Sequence, residues 1–265
     1  MRKVFANHLR NNYLHNDKNA VLLGDISVGL FLNEKDELVD NAYNMGILEQ
    51  SMISFAAGLS SEMSNVFVHT ISPFIIERAY EQIKLDLSYN RNKVILVSAN
   101  GPFEYKKLGP THHCSADVPI LNLLSNIDIY LPGRDQEVIS SIDRISEEKN
   151  SAYLRLNNQS ANDIDINPNN IIHKTSKLNI FVGEALNEFR NNNNESYLYI
   201  YALKDFFNDI DLSLYDEITV YEPYSLPILG PKIKLKNPDK KIIFKYYPKS
   251  IESGIYDLVE FIEES

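Results

Sequence analysis

Short apolar runs alternate with longer amphipathic stretches along the first 160 residues. Five runs rich in Val, Ile, Leu or Tyr have the length of buried strands, and the stretches between them have the spacing of helices. The predicted strands are Ala20–Gly24, Val66–Thr70, Lys93–Ala99, Ile127–Leu131 and Ala152–Leu156, and the predicted helices are Lys3–His15, Gly46–Leu59, Phe74–Tyr89, Val118–Leu124 and Gln136–Glu147. This alternation predicts βαβ units, and hence a mainly parallel sheet that is flanked by helices.

A polar, Asn-rich segment, Asn157–Asn170, interrupts this pattern and is predicted to be too polar to pack. The alternation then resumes, with strands at Leu178–Val182, Ser196–Leu203, Glu217–Tyr221 and Lys241–Tyr247 and a last helix at Ile251–Glu263. We therefore predict an α/β protein of two domains, residues 1–160 and 172–265, joined by a linker at 161–171. Each domain is expected to be a mainly parallel sheet flanked by helices.

Composition and charge narrow the classes of partner. The 265 residues carry a net charge of −10, which argues against binding to nucleic acid or to an anionic membrane. No apolar run reaches the ~18 residues of a membrane-spanning helix. The single cysteine, Cys114, excludes an internal disulfide and suits a reducing compartment, so we predict a cytoplasmic protein.

In open parallel sheets, ligands bind beyond the carboxyl ends of the strands. Asp25, Asn100 and Arg155 are the polar residues that the pattern predicts at those ends. Glu49 lies in the first turn of an apolar predicted helix. It is either a carboxylate favoured there by the helix dipole or a buried carboxylate kept for proton chemistry, and composition alone favours the first interpretation.

The loop after the third predicted strand contains two Gly-Pro pairs and delivers His112 and His113 to one place. Adjacent histidines rarely chelate one ion, and no further ligand stands at a suitable spacing, so we expect no metal site in this chain. A loop histidine beside polar residues is a candidate for acid–base chemistry, although composition alone makes a surface histidine equally acceptable.

Four stretches, taken in order, resemble the transketolase family, which includes the 1-deoxyxylulose-5-phosphate synthases. NMGILEQSMISFAAGL resembles the N-x-G-I-A-E-Q-x-M-x-x-x-A-A-G-L signature, and SPFIIERAYEQIKLDL resembles the S-T-F-x-x-R-A-x-x-Q-I segment. GPTHH resembles the D-G-x-T-H-Q/H loop, and IDIYLPGRDQEV resembles the stretch that follows it. Each motif alone is weak, but their common order over residues 1–160 makes the resemblance specific.

The resemblance implies thiamine diphosphate as the cofactor. The family's glutamate that hydrogen-bonds the cofactor's pyrimidine ring matches Glu49, and positions that line the cofactor match Asp25 and Ile26. The aromatic side chain that stacks on the pyrimidine is assigned to Phe74, although counting back from the Arg-Ala pair places Ile75 there.

The resemblance also implies residues that bind the substrate. His112 matches a histidine that contacts the donor's carbonyl oxygen, and His113 stands where the family has Gln or His. Arg2 and Arg155 match arginines that grip a substrate phosphate, which favours a phosphorylated ketose donor.

Two positions depart from the family pattern. Asn100 replaces a histidine or arginine that helps to hold the substrate, and Leu108 replaces an aspartate that recognises a substrate hydroxyl. We expect phosphate binding to be weaker or differently arranged. We also expect the acceptor either to lack the hydroxyl or to place it against an apolar side chain.

No G-D-G motif for Mg²⁺ and diphosphate is found in the sequence. The resemblance therefore implies that a separate N-terminal transketolase-like subunit binds the metal and the diphosphate, in an α2β2 assembly. The predicted activity is transfer of a two-carbon ketol unit from the ketose to an aldehyde. The alternatives are the beta subunit of a 2-oxo-acid dehydrogenase, a deoxyxylulose-phosphate-synthase-like enzyme, or a non-catalytic regulatory subunit.

Overall fold

A computed structural model describes residues 1–207, 210–248 and 261–264. Its first sheet has six parallel strands in the order β2-β1-β3-β4-β6-β5. The strands are β1 Asn19–Leu23, β2 Ala42–Asn44, β3 Asn65–Ile71, β4 Ile95–Ala99, β5 Ile127–Tyr130 and β6 Ser151–Leu156. All seven residues of β3 are buried, as expected for a strand at the centre of a parallel sheet that is covered on both faces.

Five helical elements belong to this sheet. They are α1 Arg2–Asn12, α2 Glu49–Leu59, the composite α3, α4 Asp117–Leu121 and α5 Asp135–Glu147. The α3 element runs through Pro73–Arg78, Tyr80–Gln82 and Ile83–Tyr89, and its first and last parts are π-helical. Short 3₁₀ turns lie at Val28–Phe31, Lys106–Leu108 and Pro110–His112.

The second sheet has five strands in the order β11-β10-β9-β7-β8. Its strands are β7 Lys177–Val182, β8 Ser196–Ile200, β9 Glu217–Glu222, β10 Lys241–Tyr246 and β11 Ile262–Glu264. Only the β10–β11 pairing is antiparallel among the described strand pairs. Helix α6 (Leu229–Lys236) and 3₁₀ turns at Gly183–Glu188 and Leu203–Phe207 complete this part of the chain.

The predicted fold class is confirmed, because both sheets are mainly parallel and flanked by helices. Two short strands, β2 and β11, were not predicted. Of the predicted last helix, Ile251–Glu263, residues 251–260 lie outside the described part of the chain. Its end is wrong, because Ile262 and Glu263 pair with β10 in an antiparallel strand.

The prediction that the Asn-rich segment is too polar to pack is wrong. Ala161 and Ile166 are buried in a cluster with Phe181 and Tyr197 of the second sheet. Ala161 also donates its backbone N–H to the Gly133 carbonyl, at 2.8 Å. These two apolar side chains therefore anchor the segment to the second sheet, although its average composition is polar. The domain limits at 160 and 172 stay a prediction.

The parallel order brings the carboxyl ends of β1, β3, β4 and β6 to one edge of the first sheet. The residues that follow these strands, together with the start of α2, form that edge. Within the part of the chain that the structure describes, no helix combines the length and apolar character needed to span a bilayer.

Candidate active site

A cavity of about 160 Å³ opens at the carboxyl ends of β1 and β3. Its walls combine backbone, aliphatic side chains, one hydroxyl, one aromatic ring and two carboxylates. They are formed by Gly24, Asp25, Ile26, Ile47, Glu49, Thr70, Ile71 and Phe74. The structure thus brings together the four residues that the resemblance assigns to the cofactor.

Glu49 is the first residue of α2, and its side chain is 2% exposed. One carboxylate oxygen, Oε2, accepts a hydrogen bond from Nη1 of Arg78 at 2.8 Å. The other, Oε1, is buried and has no hydrogen-bond partner among the described residues. A buried carboxylate oxygen without a partner is costly, so this atom is expected to gain one from a bound ligand.

Phe74 lines the cavity, whereas Ile75 is fully buried in the core. The structure therefore points Phe74, and not Ile75, at the space beside Glu49. Cζ of Arg78 lies 4.0 Å from the Phe74 ring centroid. The Arg78 guanidinium thus contacts the ring and the carboxylate at once, and it fixes both side chains relative to each other.

The turn after β1 carries Asp25 and Ile26 into the cavity wall. Asp25 and Ser27 have positive φ angles of 56° and 60°, which costs energy for residues with side chains. Asn44 of β2 supports the turn, because its Oδ1 accepts the Asp25 N–H at 3.1 Å and its Nδ2 donates to Asp25 Oδ1 at 3.1 Å.

His69 of β3 holds the other end of this turn. The side chain is fully buried, with Nδ1 2.9 Å from the Val97 carbonyl and Nε2 3.0 Å from Ser27 Oγ. A carbonyl can only accept, so Nδ1 carries the proton and Nε2 accepts the Ser27 hydroxyl hydrogen. Burial, together with the charge of Arg2, lowers the pKa of His69 to about 4, so the ring is neutral at pH 7.

His112 lies beside the cavity on the 3₁₀ turn that follows Gly109. Its ring meets the Phe74 ring edge to face, with centroids 5.4 Å apart. Nδ1 of His112 is 2.9 Å from the Thr111 hydroxyl. Gly109 enters the turn at φ +83°, a conformation that favours glycine. The loop therefore presents an imidazole at the cavity that holds Glu49.

The predicted phosphate contact of Arg155 is not what the structure shows. Arg155 belongs to β6, is fully buried, and donates to Asp117 at 3.1 Å, to Glu184 at 3.2 Å and to the Pro223 carbonyl at 3.1 Å. Position in the sequence suggested a residue at the end of a strand, but the guanidinium instead joins the two sheets. Both of its terminal nitrogens are therefore already engaged by protein groups.

The remaining predicted substrate residues do not line the cavity. Leu108 is 58% exposed, and His113 is buried, with its ring 5.4 Å from that of Phe103. Arg2 opens α1, and its charge acts on His69. Asn100 follows β4, one strand beyond the cavity, with its side chain buried. Among the described residues, no group of three or more His, Cys, Asp or Glu side chains is placed to hold a metal ion.

Residues 1–163 match the family model described as the transketolase pyrimidine-binding domain. The chain belongs to the transketolase pyrimidine-binding family. Curated relatives in this family include one subunit of the apulose-4-phosphate transketolases of Actinobacillus succinogenes and Phocaeicola vulgatus. The first is 35% identical over 120 residues, which is 45% of this chain and 39% of the relative. The second is 28% identical over 141 residues, 53% and 44% of the respective chains.

A solved structure named as a split gene transketolase, inactive beta4 tetramer, has the same fold. It superimposes with a TM-score of 0.76 at 17% identity, covering 96% of this chain and 90% of that one. The part aligned with the two curated relatives spans less than half of their length. The two sheets of this chain are therefore a known arrangement of the transketolase fold.

Two residues of the site were missed by sequence reasoning. Arg78 lies inside the matched segment SPFIIERAYEQIKLDL but received no role, although its fixed place in the motif was a usable signal. His69 gave no local signal, because a histidine within an apolar strand is most often a core residue. Its role depends on Ser27, 42 residues away in sequence.

Proposed function

We propose that this chain is the pyrimidine-binding subunit of a two-chain transketolase, and that it transfers a two-carbon ketol unit from a ketose donor to an aldehyde acceptor. The observation that carries the proposal is Glu49, which lines the cavity together with Phe74 and has one buried carboxylate oxygen without a partner. The two apulose-4-phosphate transketolase relatives are each named as a single subunit, which supports a division into two chains.

Thiamine diphosphate fits the residues present. Its pyrimidine is a flat ring with apolar faces and a polar edge, and the cavity offers Phe74, Ile26 and Ile71 together with a carboxylate. The unpaired Oε1 of Glu49 matches a ring nitrogen that can share a proton. When bound, this cofactor supplies an electron sink for breaking a carbon–carbon bond next to a carbonyl.

The residues of this chain then have distinct tasks. Glu49 holds or releases a proton at Oε1, while Arg78 keeps Oε2 in place through its 2.8 Å bond. Phe74 orients the ring by packing against it. His112, at the mouth of the cavity, is placed to donate a hydrogen bond to the donor's carbonyl oxygen.

An exposed apolar face beside the cavity supports a partner chain. Tyr43, Ile47, Leu48 and Phe55 are exposed by 47%, 64%, 56% and 49%. We call these four residues the α2 face. Ile47 also lines the cavity, so the face continues into the site. Such a patch is typical of a protein interface, and we propose that the N-terminal subunit, which would bind Mg²⁺ and the diphosphate, covers it in an α2β2 assembly.

The test is reconstitution with the candidate partner, followed by ketol transfer from hydroxypyruvate to an aldehyde. Glu49→Gln keeps the side-chain volume but removes the proton-sharing carboxylate, so turnover should fall by at least ~100-fold. Exchange of the cofactor's C2 proton, followed by NMR, should slow to a similar extent. Glu62→Gln, at an exposed position after α2, is the matched control. Equal exchange rates in Glu49→Gln and the unmutated complex would contradict the proposal.

A further inference from the structure

Two asparagines stand side by side at the carboxyl ends of β4 and β6. Ala99 and Leu156 are partners in the strand register, so Asn100 and Asn157 are the next residues of two paired strands. Both side chains are buried, at 1% and 2% exposed. Nδ2 and Oδ1 of Asn100, and Oδ1 of Asn157, have no hydrogen-bond partner among the described residues. Buried amides without partners are rare and call for a ligand or bound water.

This pair, which we call the amide pair, lies next to the cavity. Ile71, the last residue of β3, lines the cavity, and the following Ser72 donates its hydroxyl to the Asn100 carbonyl at 2.8 Å. Gly101, after Asn100, begins the loop that carries His112. A Cβ at Gly101 would come within 2.8 Å of Asn157 Oδ1. The pair therefore lies where the loop that carries His112 begins, one strand along the sheet from the cavity.

Carboxyl groups and one engaged guanidinium surround the amide pair. Arg155 is enclosed by Asp117 and Glu184, and Glu104 accepts the backbone N–H groups of Gly101 at 2.7 Å and Asn158 at 2.6 Å. Burial raises the pKa of Glu104, and it raises the pKa of Glu184 to about 7. A phosphate placed here would gain no free cation from Arg155, because both terminal nitrogens of its guanidinium already donate to protein groups.

We propose that the amide pair recognises hydroxyl groups on the sugar chain, and that the substrate end lying at this edge carries no phosphate. A hydroxyl both donates and accepts, so it matches Asn100 Nδ2 and Oδ1, whereas a phosphate only accepts. This inference rests on the proposed ketol transfer. It names the substrate class as unphosphorylated polyhydroxy ketoses, contrary to the phosphorylated donor that the resemblance suggests.

The native reconstituted complex provides the direct test. We expect kcat/KM for D-fructose to exceed that for D-fructose 6-phosphate by at least tenfold, because the two donors differ only in the terminal phosphate. A preference for the phosphate ester would overturn the inference. Hydroxypyruvate as a donor distinguishes failure of this inference from failure of the proposed function. If the complex uses hydroxypyruvate but prefers the phosphate ester, only this inference is refuted. If the complex uses none of the donors, the proposed ketol transfer is refuted.

A variant assigns the effect to the amide pair. Asn100→Leu has similar volume but no polar atoms, so kcat/KM for fructose should fall at least tenfold more than kcat/KM for hydroxypyruvate, which lacks the distal hydroxyls. Asn122→Leu, at an exposed position after α4, is the matched control and should change neither value. An equal loss with both donors in Asn100→Leu would mean that Asn100 serves structure and not recognition.

Discussion

At the scale of single residues, buried polar side chains define the site. Glu49 has one oxygen held by Arg78 and one unpaired, and His69 bridges Val97 and Ser27. These contacts join residues that are far apart in sequence. Glu49 and Arg78, for example, are 29 residues apart. Each polar group is positioned by another element, which makes the cavity wall stiff on the side of Asp25 and Ile26.

Ser27→Ala tests the His69 contact. The variant leaves Nε2 of a buried histidine without a donor, so the free energy of unfolding should fall by about 1–3 kcal/mol. Ser61→Ala removes an exposed hydroxyl that bonds the Gly58 carbonyl, and it should cost much less. Urea denaturation of both variants at pH 7 gives the comparison. Equal costs would show that the His69–Ser27 bond does not support the turn.

At the scale of elements, buried polar contacts join the two sheets. Arg155 of β6 reaches Glu184 and the Pro223 carbonyl, and Tyr199 of β8 donates to Glu137 of α5 at 2.5 Å. Backbone bonds add to these, because Leu131 donates to the Tyr201 carbonyl at 2.6 Å. These bonds join buried groups, so water cannot take the place of a lost partner. They therefore hold the two sheets in one arrangement.

Glu184→Gln should change the pH dependence of stability. The folded-state pKa of Glu184, raised by burial to about 7 from 4.5, means that the folded chain retains a proton that the unfolded chain releases. Stability from this group is fully present below pH 4.5 and is lost as pH rises through 7. At about 1.4 kcal/mol per pKa unit, the loss is at most about 3 kcal/mol.

The comparison needs the variant, because neutral His69 has the opposite effect. Its pKa of about 4 removes stability as pH falls from 6.5. The difference between the native chain and Glu184→Gln isolates Glu184. We expect this difference in the free energy of unfolding to move against the native chain between pH 5 and pH 8. A constant difference would contradict a proton held at Glu184.

At the scale of the whole molecule, the fold could be predicted and parts of the site could not. Buried parallel strands such as β3 are continuous apolar runs, so they stand out in the sequence. β2 has three residues, two of them exposed, and gave no such signal. The contacts of Arg155 gave no signal in the sequence, because its partners, Asp117 and Glu184, are brought to it only by the packing of the sheets. The choice between Phe74 and Ile75 depends on the π-helical start of α3, which breaks ordinary helical spacing.

The α2 face should determine assembly with the partner. Phe55→Glu places a charge on this face, so affinity for the partner subunit should fall at least tenfold, while the free energy of unfolding changes by less than about 0.5 kcal/mol. Leu235→Glu on α6, where the native side chain is 82% exposed, is the control and should bind normally. Binding of each soluble variant to the immobilised partner subunit measures both affinities. Unchanged affinity of Phe55→Glu would place the interface elsewhere.

The division of the cofactor site between two chains is the central claim, and calorimetry tests it directly. Glu49, Phe74 and apolar side chains line the cavity in which we propose that the pyrimidine ring binds. In this proposal, most of the affinity for thiamine diphosphate would come from the partner's metal and diphosphate site. With Mg²⁺ present, the chain alone should bind thiamine diphosphate weakly or not at all, and the complex with the partner should bind it at micromolar concentration or below. Micromolar binding by the isolated chain would contradict the split site.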